Sequence, residues 1–269
     1  SITEIMRYLP EKRQNLWFSA TYPTTIEELA SKVMKRQFRV EARDQHDTHT
    51  IRQLLCRIQD KSKRTDGLVG VFQKFNPGTA LVFCNTKRLT EEVTRELRSS
   101  GFSSNALHGD MEQRDRNKTH IKIANKSLSI LIATDVAARG LDIDSLDLVV
   151  NYHLSRDPEV HTHRIGRTGR AGNSGVACSL FHESEEYKIE ILEKTLGYPI
   201  ERTVIDSLET DVRPAQPRMA TLQIEGGKKQ KIRPGDILGS LTREDGIDAS
   251  DVGKINILEK SAFVAIKRH

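Results

Sequence analysis

The sequence predicts an α/β fold, a parallel sheet with helices on both faces, followed by a small α+β domain. Three observations carry that prediction. From residue 79 to residue 196, short apolar runs alternate with amphipathic or charged segments, as in a sheet built through crossover helices. One apolar run, Leu128 to Ala133, stops at Thr134-Asp135, and a turn carrying Arg139-Gly140 follows at once. Such turns lie at the carboxyl ends of parallel strands, where ligands collect. Beyond Pro214 and Pro217 the composition shifts to short strand-like runs separated by a basic, glycine-containing turn.

Taken in order, residues 1–43 read as isolated pieces: a strand at Asn15–Ser19, a helix entered at Thr24-Thr25 and running through Leu29 and Val33, and a strand from Gln37 to Ala42. Two strands and a helix do not make a compact domain by themselves. Residues 44–50 are polar and fit a linker. The domain at 44–206 then alternates. Thr79–Cys84 is a strand, and Thr86 caps a helix whose Leu89, Val93 and Leu97 recur every four positions until Gly101 stops it. Asn105–Leu107 leads into His108-Gly109-Asp110, and a charged helix starts near Glu112. Leu128–Ala133 and Leu148–Tyr152 are strands. Asp157-Pro158-Glu159 has the cap, the proline and the acid of a helix start. Gly175–Phe181 is a strand and Glu183–Leu196 a helix. Residues 207–217 form a second linker. In the last segment, 218–269, Ala220–Ile224, Lys254–Leu258 and Ala262–Ile266 read as strands, with a short helix after Arg233-Pro234-Gly235-Asp236.

Composition narrows the class. The chain has 269 residues, 42 basic against 37 acidic, and a formal charge of +5, a modest excess compatible with a polyanionic partner. No run approaches the roughly 18 apolar residues of a membrane span, so a membrane role is not expected. Cys56, Cys84 and Cys178 form no CxxC pair, and two of them fall inside strand-like runs. Buried thiols in a reducing cytoplasm are expected, not a disulfide or a metal site. His161 and His163, two apart, do not share a helix face and are joined by no cysteine or carboxylate cluster, so no metal is expected there.

The second informative stretch is His163-Arg164-Ile165-Gly166-Arg167-Thr168-Gly169-Arg170-Ala171-Gly172. Arg164, Arg167 and Arg170 are three apart, which on a helix places successive guanidinium groups on roughly one face, where they repel unless an anion joins them. A solvated basic face is the ordinary fate of a charge run. Gly166, Gly169 and Gly172 would be costly in such a helix, which favours close approach of a ligand or backbone.

This stretch and Ala133–Ile143 resemble motifs VI and V of DEAD-box RNA helicases. Ser19-Ala20-Thr21 is similar to the family's motif III. The segment around Gly226-Gly227-Lys228-Lys229 and Arg233–Gly239 resembles the C-terminal RNA-binding domain of DbpA-type members, a variant RRM fold. The resemblance implies that residues 44–206 are the second RecA-like domain and that 1–43 are a remnant of the first. It implies that 218–269 are a partial RRM-like domain, ending before the family's second helix and fourth strand.

The resemblance also implies roles. Arg167 and Arg170 match the motif VI arginine fingers that stabilise charge on the transferred phosphoryl group. His163, Asp142 and Gly140 match nucleotide-side positions. Asn85, Thr86, Gly109, Gln113, Arg114, Thr134 and Arg139 match contacts to the RNA backbone, and Ser19 and Thr21 couple the two sites. In the tail, Lys228, Lys229, Lys231 and Arg233 are the expected RNA contacts, because Phe263 is the only aromatic residue in a strand that would otherwise stack bases. The chain contains neither a G-x-x-x-x-G-K-[ST] loop nor an Asp-Glu-Ala-Asp sequence. The implied cofactor is therefore ATP with magnesium, the magnesium held by a first domain, and this chain alone is expected to be inactive. The implied partner is RNA, a hairpin of large-subunit ribosomal RNA, bound by a monomer. A non-catalytic RNA-binding protein retaining only this half is the alternative. A superfamily-2 DNA helicase is a third reading, disfavoured by the tail.

Overall fold

The computed structural model describes residues 2–18, 24–34, 38–40, 51–139, 143, 146–169, 174–205, 214, 216–244 and 246–269. The chain divides into two compact units, Ser1–Gln45 and His46–His269. In the first, α1 spans Ile2–Met6 and α2 spans Thr24–Val33, the latter as expected. The strand expected at Asn15–Ser19 does not form over its described part. Leu16 and Phe18 stand 67% and 91% exposed, without regular structure. Phe38 and Val40, from the other expected strand, are exposed in the same way. A strand persists when a neighbour takes its backbone hydrogen bonds, and no strand occurs among the described residues of this unit. Ser19-Ala20-Thr21 and residues 44–50 lie outside the described residues.

The second unit is built on a seven-stranded sheet. In chain order its elements are β1 (Ile51–Ile58), α3 (Arg64–Phe75), β2 (Ala80–Phe83), α4 (Lys87–Ser99) and β3 (Ser104–Leu107). There follow α5 (Gln113–Ala124), β4 (Ile130–Ala133), α6 (Asp135–Ala138), β5 (Leu148–Asn151), α7 (Pro158–Ile165), β6 (Gly175–His182), α8 (Glu186–Leu196) and β7 (Glu201–Val204). The strands run in the order β3-β4-β2-β5-β6-β1-β7, and every pairing is parallel. Side chains of one strand alternate between two cores, so Ala80 and Val82 join α3 and α4 while Leu81 and Phe83 join α5. This is the RecA-like arrangement the sequence led us to expect, with helices on both faces.

Local signals explain the helix starts. Thr86 caps α4 by accepting from the Leu89 N–H at 3.2 Å, and Asp157 caps α7 by accepting from the Glu159 N–H at 2.9 Å, with Pro158 in the first turn. Gly101 closes α4 with φ +84°, the left-handed region that glycine enters freely. Cys56, Cys84 and Cys178 are buried free thiols, all in the core cluster on the α3–α4 face. Burial pushes the Cys84 thiol up to about 12. Among the described residues, no helix is long and apolar enough to cross a membrane.

A second, three-stranded sheet closes the chain: β8 (Met219–Ile224), α9 (Pro234–Leu241), β9 (Val252–Ile257) and β10 (Ala262–Lys267), antiparallel in the order β8-β10-β9. Ile237 of α9 packs on Ala262 and Val264. Thr221 of β8 meets the turn after α5, its hydroxyl 2.5 Å from Ser127 Oγ and accepting from Asn125 Nδ2 at 2.9 Å.

Candidate nucleic-acid and nucleotide site

Because the strands are parallel, their carboxyl ends share one rim of the sheet. In the order β3-β4-β2-β5, that rim carries His108-Gly109, then Thr134-Asp135, then Asn85-Thr86, then His153. Most of the motif residues expected in this region converge there without help from any long loop.

The rim is tied together by Arg164, a residue given no role of its own in the sequence reading. Only 3% exposed, its Nε and Nη2 grip both oxygens of Asp135 at 2.6 and 2.7 Å. Nη1 donates to Asn151 Oδ1 and to the His153 carbonyl, both at 3.1 Å, and Nη2 reaches Asn85 Oδ1 at 3.3 Å. The guanidinium also stands 5.2 Å from the Phe83 ring centre. A planar, forked cation satisfies all these acceptors at once, which a lysine cannot do. The expectation that three arginines line one helix face is corrected here. Helix α7 ends at Ile165, so only Arg164 lies on it, and that side chain turns inward to a carboxylate. The signals for this role were an arginine beside the apolar Ile165 and an aspartate directly after a buried strand.

Below Arg164 lies a second polar layer. Asn151 Nδ2 donates to Ser179 Oγ at 2.9 Å and lies 3.5 Å from His161 Nδ1, while His161 Nε2 lies 3.2 Å from Gln53 Oε1. A neutral ring protonated on Nε2 satisfies both neighbours. Burial, reinforced by the Arg164 charge, holds the His161 pKa down to about 4. Burial and the Arg64 charge hold His153 down to about 4 as well.

Arg167 sits half-buried in the turn after α7, its N–H bonded to the Arg164 carbonyl at 3.1 Å. That turn is fastened at its far side. The Thr168 hydroxyl donates to the Leu146 carbonyl, and Gly169 takes φ +66°. Gly175 lets β6 approach so closely that a Cβ there would lie 2.4 Å from Gly169 N. Gly175 thus serves close backbone packing of β6 on this turn. His163 is exposed beside buried His161, so the two imidazoles do occupy different sides of α7.

The remaining rim residues are open. Thr134 is half-buried at the start of α6, and Arg139, Gly109, Gln113 and Arg114 are exposed, with Gln113 donating to Asn117 Oδ1 at 2.8 Å. Gly140, Asp142, Arg170, Ser19 and Thr21 lie outside the described residues. Lys228, Lys229, Lys231 and Arg233 are exposed but belong to the small sheet, not to the rim. Their turn packs against the β9–β10 hairpin through backbone bonds from Lys228 and Lys229, and a Cβ on Gly227 would overlap the Leu258 carbonyl. Phe263 is 3% exposed, so it is core and unavailable for stacking.

His163 lies exposed in the last turn of α7, and Arg167 follows it half-buried two residues beyond the helix end. Among the described residues, no group of acidic, histidine or cysteine side chains could hold a metal ion.

Comparison with known proteins agrees with this geometry. Residues 60–172 match the helicase conserved C-terminal domain, and residues 221–269 match the DbpA RNA binding domain. The chain is 41% identical to the ATP-dependent RNA helicase DbpA of Escherichia coli over all of its own length and 58% of the relative's. It is 32% identical to the Bacillus subtilis DbpA over 98% of itself and 60% of that protein. It spans about three-fifths of the length of these curated relatives. Among solved structures, S. cerevisiae Dbp5 bound to RNA and ADP BeF3 superposes with a TM-score of 0.69 at 29% identity, covering 76% of this chain and 55% of that one.

Proposed function

Since the chain belongs to the DEAD-box RNA helicase family, in its DbpA branch, we propose that it supplies the RNA-gripping and finger-bearing half of an ATP-dependent RNA helicase. Its target in this reading is structured RNA, a hairpin of large-subunit ribosomal RNA, approached as a monomer in the cytoplasm. One observation carries the proposal. The Arg164 network locks Asn85 and Asp135, from the ends of two neighbouring strands, to the helix whose following turn carries Arg167. A shift of the RNA backbone at the rim is thereby transmitted to the finger without an intervening flexible segment.

In this mechanism the backbone N–H groups near Thr134 and Gly109 and the Arg139 guanidinium take sugar–phosphate oxygens, which suits an enzyme acting on many sequences. ATP, when bound, supplies the phosphoanhydride bond whose cleavage drives release. This chain's part is to bring the Arg167 charge, with Arg170 as its partner finger, to the phosphate oxygens. His163 orients that turn from its exposed side of α7. Asp142 and Gly140 are the proposed ribose-side contacts, and Ser19 and Thr21 the proposed coupling residues. The tail turn, Lys228 to Arg233, holds a separate part of the same RNA.

The test is RNA-stimulated ATP hydrolysis by this chain, alone and mixed with a separately made domain carrying a phosphate-binding loop. Hydrolysis only in the mixture, lost on Arg167→Ala, is the expected result. RNA binding without hydrolysis in the mixture, when the added domain binds ATP, would favour a non-catalytic RNA-binding protein.

A further inference from the structure

Helix α5 carries Arg114, Lys118 and Lys122 four residues apart, hence on one face and about 12 Å from end to end. At the foot of that face Lys126 follows in the left-handed conformation, φ +62°. Arg98 arrives from the end of α4. Its Nε donates to the Ser104 carbonyl at 2.7 Å and its Nη2 to Asn105 Oδ1 at 2.6 Å, so it lies along the edge strand β3. Asn105 in turn donates to Thr119 on the buried side of α5 at 3.4 Å, which fixes this end of β3 against the helix and sets Arg98 beside it. Lys122 is held below its ordinary pKa by burial and then by the charges of Lys118 and Arg98, an independent sign that these cations crowd one another.

None of these cations has an ion-pair partner among the described residues, and Asp115, the only acid in α5, joins none of them. The contrast within the same unit is sharp, since Arg52, Arg57, Arg64, Arg88, Arg164 and Arg202 all face carboxylates. Unpaired like charges at helical spacing destabilise a free helix, so the face is arranged for an anion that the isolated chain does not contain. The upper end of the face begins at Arg114, beside Gln113 on the functional rim. The lower end reaches the small sheet: the Ser127 hydroxyl spans from the Lys122 carbonyl, 3.3 Å away, to Thr221 of β8.

We propose that the Arg114–Lys118–Lys122 face of α5, closed at its foot by Arg98 and Lys126, is a track for the RNA sugar–phosphate backbone from the rim to the tail domain. The inference rests on the RNA-binding reading above and adds to it a path between the two contacts. A rise of about 12 Å accommodates about three phosphates of a stacked strand. The track reads charge and not sequence, because nothing on it reaches base edges.

The experiment uses this whole chain with Lys118→Gln and Lys122→Gln combined, neither residue belonging to the rim. Binding is measured by anisotropy across a salt series, with one short single-stranded RNA sized to the rim and one longer RNA bearing a hairpin. The expected result is a loss of about tenfold on the longer RNA with the short RNA unchanged, and a log–log salt slope shallower by about 1.4 for two lost phosphate contacts. The paired Lys118→Arg and Lys122→Arg variant should restore both values, which a folding defect would not allow. An unchanged affinity for the longer RNA, or an equal loss on both RNAs, overturns the track. Failure of the wild-type chain to bind either RNA instead overturns the functional reading on which it stands.

Discussion

The two sheets of this chain handle polar groups in opposite ways. In the seven-stranded sheet, β2, β4 and β5 are buried along their whole length, and the charges that lie beneath the rim are enclosed and paired, as Arg164 is by Asp135 and Arg64 is by Glu185 at 2.5 Å. In the three-stranded sheet only β10 is buried through most of its length. β8 and β9 stay half-exposed, and the nearby cations Lys228, Lys229 and Lys231 are solvated. The difference teaches where precision is needed. The large sheet encloses Arg164 in a fixed network, which sets where the turn carrying Arg167 begins. A contact to a phosphate backbone tolerates play, and the small sheet offers open charge.

The contrast is most strongly tested at Arg164. Arg164→Ala leaves the Asp135 carboxylate and Asn151 without their cation, and should destabilise the second unit by about 3–5 kcal/mol in urea unfolding. A loss below about 1 kcal/mol would mean that the network is ornamental to the fold.

A second effect, spread over two histidines, distinguishes the sheets by pH. His161 and His153 stay neutral in the folded chain down to about pH 4, whereas in the unfolded chain they take a proton near 6.5. The unfolded chain therefore binds more protons between those values. Stability is full above pH 6.5 and falls as the pH drops to about 4, at up to about 1.4 kcal/mol per pH unit for each histidine. Glu185 adds a separate loss at lower pH. Burial opposes its charge, but hydrogen bonds from Arg64, Lys188 and the His182 N–H hold its pKa down to about 2, so its contribution disappears only as the pH falls from 4.5 toward 2. Urea titrations at pH 7, 6 and 5 should show the first decline, and His161→Gln should reduce its slope by about half. A slope indifferent to that substitution would remove His161 from the account.

The smallest effect belongs to the open sheet. Leu222 is 46% exposed on β8, and Leu222→Ala should change stability by less than about 1 kcal/mol. A larger loss in thermal unfolding would show that its face is covered in solution and would narrow the difference between the sheets.

The sequence was most readable where one signal suffices: caps at Thr86 and Asp157, the stop at Gly101, and the buried runs at β2, β4 and β5. It was silent on β1, α3 and β7. In β1 the polar Arg52, Gln53 and Arg57 interrupt the apolar residues, giving neither alternation nor a continuous run, because Arg52 and Arg57 leave the sheet for Glu201 and Glu183. Helix α3 contains Gly67, which reads as a breaker. A Cβ there would stand 2.6 Å from Ile58, so the glycine serves close packing on β1. Strand β7 is a four-residue edge strand with no pattern of its own. Conversely, Leu16–Phe18 had a strand's composition but no neighbouring strand among the described residues. At the site, residue types marked the rim, but only the fold could show that Arg164 faces inward while His163 faces out.

The three thiols have a consequence for anyone handling the protein. Cys56, Cys84 and Cys178 all lie in one core cluster on a single face of the sheet, fully shielded, and burial suppresses ionisation of the Cys84 sulfur. A thiol-reactive dye therefore finds no target on the intact surface and reacts only when that core opens. The chain carries its own clock for unfolding, readable as the rate of dye uptake, with no label engineered in.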